Sequence, residues 1–341
     1  MKKALEDKGH KVTLLQYPNE RATDEKLSWN IDIERGIATR NGKQLILKDF
    51  DGVMVRSWGT AAIAAEYAKV FEKLGITIAN DIDKTTKSNS KVATTKIFQD
   101  ANVSMPYTEA YLFSELKEND LLEKIKAFAK GKELFVVKSA YGTRGEKVQF
   151  FDDPEKAKSF IVSEKQANQK GFVLQDFCNT GKKASSYRVL VVGGKVVVGM
   201  ELTSTDDKLI SNVSAGGTTR LLGKEELDEL QSVAARAAVA LGMECCSGVD
   251  IIRNAYNKKE LFVLEANDGP GISTIVDKHG IPLHEWVAEA FVQKVLKNLG
   301  QKTNLNNFLA PTGNRVNNDT NPSHALAKAV TRSPSKSRLG R

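Results

Sequence analysis

The chain has 341 residues, 41% of them hydrophobic, and a formal net charge of +8, which excludes a disordered or fibrous chain and leaves room for cores in more than one domain. Its apolar runs are short and glycine-broken, no secretory leader opens it, and Cys178, Cys245 and Cys246 make neither a C-x-x-C pair nor a disulfide framework, so the expected setting is the cytoplasm. From Gln301 onward seven Lys and Arg stand against one Asp, so six of the eight net charges sit there and the nearly neutral body argues against a nucleic-acid groove.

In chain order, "MKKALEDKGHKVTLLQY" predicts an amphipathic helix, a glycine stop and a strand. A domain of this kind ordinarily opens on a strand, so the first strand is expected to be missing. "FDGVMVRSWG" predicts a buried strand, "TAAIAAEYAKVFEKLG" a helix and "ITIAN" a further strand, together a small parallel α/β domain over residues 1–86. A helix follows at about 91–101. "ELFVVKSA" and "EKVQFF" read as strands joined through "YGTRG", then a helix at 154–168 and a strand at "FVLQDF". "SYRVLVVGGKVVVGMEL" is a hairpin turning at Gly193-Gly194, where a two-residue turn needs positive φ. A helix stopped by Gly242, a second hairpin "GVDIIRNAYNKKELFVLEAN" and a helix at 282–299 complete the folded part. The expected division is 1–86, then 87–300 with a lid subdomain at about 106–175, then a basic tail at 301–341. That tail, ending "TRSPSKSRLGR", is expected to be disordered, or a tether for an anionic partner.

If the second hairpin turns near Asn257 and Lys258, Asp250 falls opposite Glu265, and strand alternation puts Asn267 on the same face. Hard oxygen ligands without a nearby His or Cys suit Mg²⁺; ordinary solvated cross-strand pairs are the alternative. Lys138 sits among apolar neighbours in "LFVVKSA", where an ammonium calls for an anion. Gly142 and Gly145 then supply a loop able to turn backbone N–H groups toward phosphate, with a plain hairpin turn as the alternative. Neither a P-loop nor a G-x-G-x-x-G fingerprint occurs, "HEWVA" lacks the second His of a zinc helix, and there is no G-x-S-x-G elbow.

Taken in order, "SKVATTKIFQDANVSMP", "FVVKSAYGTRG", "FVLQDF", "SYRVLVVGGKVVVGM", "SNVSAGG", "GVDII" and "VLEANDGPG" resemble the ATP-grasp fold, an α/β (α+β) class, and within it the RimK-like amino-acid ligases. The resemblance implies that Lys91 and Lys138 hold ATP phosphates, that Gly142, Thr143, Arg144 and Gly145 close over them, and that Gln175, Asp176 and Phe177 meet adenine. It also implies nucleotide contacts from Ser186, Ser211 and Asn212, a catalytic role for Arg188 beside Lys138, and Asp250, Glu265 and Asn267 as ligands to two Mg²⁺ ions, with Mn²⁺ as a substitute. The implied reaction passes the γ-phosphoryl group to a carboxylate, and an amine attacks the acylphosphate, releasing ADP and phosphate. The implied partners are ATP, a carboxylate donor and an amine acceptor (amino acid, peptide or protein terminus), with a homo-oligomer left open.

Three departures from the RimK pattern bear on substrate. Ile210-Ser211-Asn212 and Ser214-Ala215-Gly216-Gly217 lack both arginines of the corresponding family segments, which weakens the case for a glutamate substrate; Arg220 is either a substitute or a surface arginine. Ser186 replaces an aspartate, and Asp176 stands where Glu is commoner. A kinase-like phosphotransferase and a nucleotide-binding module without turnover remain as alternative functions.

Overall fold

The computed structural model describes residues 1–15, 29–32, 34–54, 69–142, 147–205, 217–270, 279–300 and 327–331. The chain divides into two compact units, one of residues 1–86, 243–246 and 268–341, the other of 87–242 and 247–267.

In the first unit β1 (Lys11–Leu15), β5 (Gly52–Met54) and β6 (Thr77–Ile78) belong to one sheet, and β2 (Asn30–Asp32), β3 (Ile37–Arg40) and β4 (Lys43–Ile46) form a second, antiparallel one. β5 and β6 pair in parallel. Between β1 and β5 lies the strand Ala327–Thr331, antiparallel to both, with Ala329 opposite Thr13 on one side and Val53 on the other. The disordered reading of the tail therefore does not extend to these five residues. A gap between two strands would leave two rows of backbone donors and acceptors unpaired, and the tail strand fills both. Residues 268–300, read from sequence as the end of the second domain, also fall in this unit. There the helix Leu283–Asn298 lies against β5 at Gly52, where a Cβ would come 2.5 Å from Val295 and 2.9 Å from Phe291, so glycine permits the close approach. Most of the helix expected at "TAAIAAEYAKVFEKLG" lies outside the described residues.

The second unit holds two antiparallel sheets. β7 (Thr108–Leu112), β8 (Phe135–Ser139), β9 (Val148–Phe151) and β10 (Gly171–Asp176) pair in the order β7-β10-β8-β9. Alternation along β8 and β10 sends Phe135, Val137, Phe172 and Leu174 into a core with Ile125 and Ile161 of the helices Leu121–Ala129 and Pro154–Gln166. Val173 faces the other way and packs with Val92 of the helix Lys91–Asp100. Lys138 pairs with Val173 across the strands. Lys91 and Lys138 are thereby both kept off the main core.

The second sheet runs β13 (Thr218–Leu221), β12 (Lys195–Thr203), β11 (Ser185–Val192), β14 (Cys246–Arg253), β15 (Leu261–Asn267). Gly193 and Gly194 turn the β11–β12 hairpin with φ of 58° and 78°, the left-handed conformation such a turn requires. The helix Lys224–Ala240 covers this sheet with Leu230, Ala234, Ala237 and Ala238 buried. No helix among the described residues is long and apolar enough to cross a membrane.

Candidate functional site

The β14–β15 hairpin places Asp250 directly opposite Glu265 and Gly248 opposite Asn267. A bulge between Asp250 and Ile251 then shifts the register midway along the ladder, a device that re-aims side chains. From the adjacent strand β11, Arg188 clasps Asp250 with two prongs: Nε donates to Oδ1 at 2.7 Å and Nη2 to Oδ2 at 2.6 Å. The same Nη2 lies 3.9 Å from Glu265 Oε1, to which Asn267 Nδ2 donates at 3.1 Å.

Burial drives the Asp250 carboxyl up to about 6, against the hydrogen bonds and charge of Arg188. Burial also works to raise Glu265, but hydrogen bonding with Asn267 and Asp250 and the charges of Lys91 and Arg188 outweigh it and hold this carboxyl below its ordinary range. The hydrogen bonds to Asp250 raise Arg188, which stays charged throughout.

Two further cations come from the helix Lys91–Asp100 and from β8. Lys91 opens its helix behind the Ser90 cap, whose hydroxyl accepts from Ala93 N–H, and its own N–H donates to Ala140 C=O at 2.8 Å. Burial brings Lys138 down to about 8, Lys91 pushes the same way, and Glu265 opposes them. Lys91 is lowered by burial, again against Glu265. Two desolvated ammonium groups sharing one carboxylate favour an anionic guest.

Of the residues read as meeting adenine, Gln175 is buried and donates through Nε2 to Thr108 Oγ1 at 2.8 Å, so its side chain is used inside the sheet. Asp176 Oδ1 lies 3.5 Å from Lys132 Nζ, and Phe177 meets Phe150 edge-on at 5.9 Å between ring centroids. Ser186 sits on β11 opposite Leu202. Gly142 is exposed and its C=O accepts from Lys91 Nζ at 3.0 Å. Thr143, Arg144, Gly145, Ser211 and Asn212 lie outside the described residues. Arg220 is held by Glu201 and Glu226, each at 2.7 Å, so its charge is already matched locally.

The donor chemistry of Asp250, Glu265 and Asn267 is all oxygen, which fits a hard divalent ion, while Arg188 engages both Asp250 oxygens. Among the described residues no group of three or more His, Cys, Asp or Glu could hold a metal. Two carboxylates and one amide leave the remaining coordination positions to water and phosphate, as Mg²⁺ commonly prefers.

Comparison with known proteins identifies the family and the fold. The RimK-like ATP-grasp domain matches residues 88–291. A protein of Shewanella halifaxensis, "Probable alpha-L-glutamate ligase", is 27% identical over 300 residues, covering 88% of this chain and 60% of that protein, so this chain spans less than two thirds of its length. One of the same description from Stenotrophomonas maltophilia is 31% identical over 248 residues, 72% of this chain and 77% of its own. Among solved structures, that of the ATP-grasp ligase PsnB complexed with minimal precursor is similar with a TM-score of 0.61 at 16% identity, over 86% of this chain and 93% of that one, a likeness of fold.

Proposed function

This chain belongs to the RimK-like ATP-grasp family, and on that premise we propose that it is an ATP-dependent ligase that joins a carboxylic acid to an amine, with an amino acid on at least one side of the new amide bond. The observation that carries the reading is the set of oxygen donors Asp250, Glu265 and Asn267 with Arg188 forked onto Asp250, to which the charges of Lys91 and Lys138 couple through Glu265.

Asp250, Glu265 and Asn267 would hold Mg²⁺, which would supply neutralisation of phosphate charge. Lys91 and Lys138 bind the polyphosphate, and their desolvation strengthens that attraction relative to water. Arg188, whose Nε and Nη2 are given to Asp250, fixes that carboxylate and adds positive charge beside the transferring phosphoryl group. The γ-phosphoryl group moves to the substrate carboxylate as ADP leaves, and the amine then attacks the acyl carbon, forming the C–N bond as phosphate departs. No side-chain nucleophile takes part; catalysis rests on positioning and fixed charge.

Purified protein is incubated with Mg-ATP and pools of amino acids and peptides while phosphate release and product mass are followed. The expected result is release that depends on both substrates, with a mass gain of condensation. Phosphate retained on the product overturns the ligase reading in favour of a phosphotransferase.

A further inference from the structure

Glu164, on the helix Pro154–Gln166, belongs to none of the motifs considered so far. Its Oε2 accepts from Ser139 Oγ at 2.7 Å and from Lys147 Nζ at 2.8 Å. Ser139 ends β8 and Lys147 stands just before β9, and Ser139 N–H also donates to Lys147 C=O at 3.1 Å. One carboxylate oxygen thus holds both ends of the glycine-bearing segment. The clasp is shielded, with side-chain exposures of 16% for Glu164 and 30% for Lys147, so water competes poorly for these charge-assisted bonds. Burial works to raise the Glu164 carboxyl, and the Lys147 and Ser139 hydrogen bonds outweigh it and keep it below its ordinary range.

Further ties converge on the first end. Tyr141 N–H donates to Gln169 Oε1 at 2.9 Å, Lys91 Nζ donates to Gly142 C=O, and a Cβ added at Gly142 would lie 3.2 Å from the Cβ of Lys147. Docking of the helix itself is supplied by Ala157 and Ile161 in the apolar core, so the carboxylate is left for another task. We propose that Glu164 is a positioning residue for Ser139–Gly142 and Lys147: it fixes the spacing of these two strand ends and thereby aims the Gly142 main chain and Lys91 at the nucleotide phosphates. This role rests on the ATP-site reading above.

The test is amide hydrogen exchange, followed by mass spectrometry on the full chain, together with ATP steady-state kinetics. In Glu164→Gln, peptides spanning 139–147 are expected to exchange about tenfold faster, with peptides of β11 to β15 unchanged. The KM for ATP rises several-fold while kcat falls less. Lys147→Met gives the same pattern at smaller size, and the double variant is no worse than Glu164→Gln alone. Unchanged exchange at 139–147, or an equal rise across the whole unit, overturns the proposal. Should Glu164→Gln fail to fold, Ser139→Ala removes one donor and is read by the same criterion. The exchange measurement needs no substrate, so a failure of the clasp and a failure of the ligase reading are told apart.

Discussion

Arg188 and Asp250 are joined by a two-pronged ion pair between neighbouring strands, at 2.7 and 2.6 Å. The side chain of Asp250 is only 15% exposed, so the guanidinium is the cation that makes its burial tolerable. Arg188→Ala is expected to destabilise the protein by about 2–3 kcal/mol, because a buried carboxylate loses its partner. Mg²⁺ or Mn²⁺ then raises the thermal midpoint more in the variant than in the parent, since a bound ion takes over the lost charge. Equal metal-induced shifts in the two proteins argue against Asp250 as a ligand.

Lys138, with its ammonium lowered to about 8, makes nucleotide affinity fall as pH rises through that value, which a titration of fluorescent-nucleotide binding between pH 7 and 10 reads directly. Stability moves the other way. The unfolded chain holds this proton up to about 10.4, so between roughly 8 and 10.4 it binds more protons than the folded protein, and stability rises with pH over that window. Lys138→Met is expected to bind nucleotide poorly, to gain on the order of 1–2 kcal/mol at pH 7, and to lose this slope.

Glu265→Ala removes the proposed metal ligand and the carboxylate whose charge supports both lysines. Acceptor-dependent phosphate release is expected to fall by about 100-fold or more, in line with the loss of one preorganised charge at a transferring group. A variant within a few-fold of the parent shows that the chemistry lies elsewhere.

Gln175→Ala tests a side chain used structurally. Its amide reaches Thr108 from within the sheet, so truncation costs about 1–2 kcal/mol from a lost buried hydrogen bond and a small cavity. Chemical denaturation measures this, and ATP affinity at temperatures where the variant is folded is expected to stay within about twofold, an expectation resting on the buried position of the side chain.

Hairpins were the legible part of the sequence. The Gly193-Gly194 turn and the facing of Asp250 and Glu265 follow from local spacing and strand alternation, both nearest-neighbour properties. The bulge after Asp250 was not legible, because a one-residue slip depends on how the ladder packs. The Arg188–Asp250 fork joins residues 62 positions apart and needs the strand order β11-β14, which no periodicity encodes. Glu164 lay hidden for a similar reason: on a helix with several other charged residues, nothing in the sequence distinguishes the one that turns toward Ser139. The strand Ala327–Thr331 was masked by a tail whose composition is basic and polar, while the strand needs only five residues and two open edges.

That last strand bears on how the protein is made. Lys11 pairs with Thr331, so the sheet of the first unit joins segments almost a full chain length apart, whereas most of the second unit is continuous from 87 to 242. On the ribosome, residues 87–242 can collapse early through local contacts, while β1 and β5 wait with open edges until residues 327–331 have left the exit tunnel. Closure of the first sheet is thus the long-range step of folding, since it needs two segments that lie far apart in the chain to meet, whereas the second unit is built largely from nearer contacts.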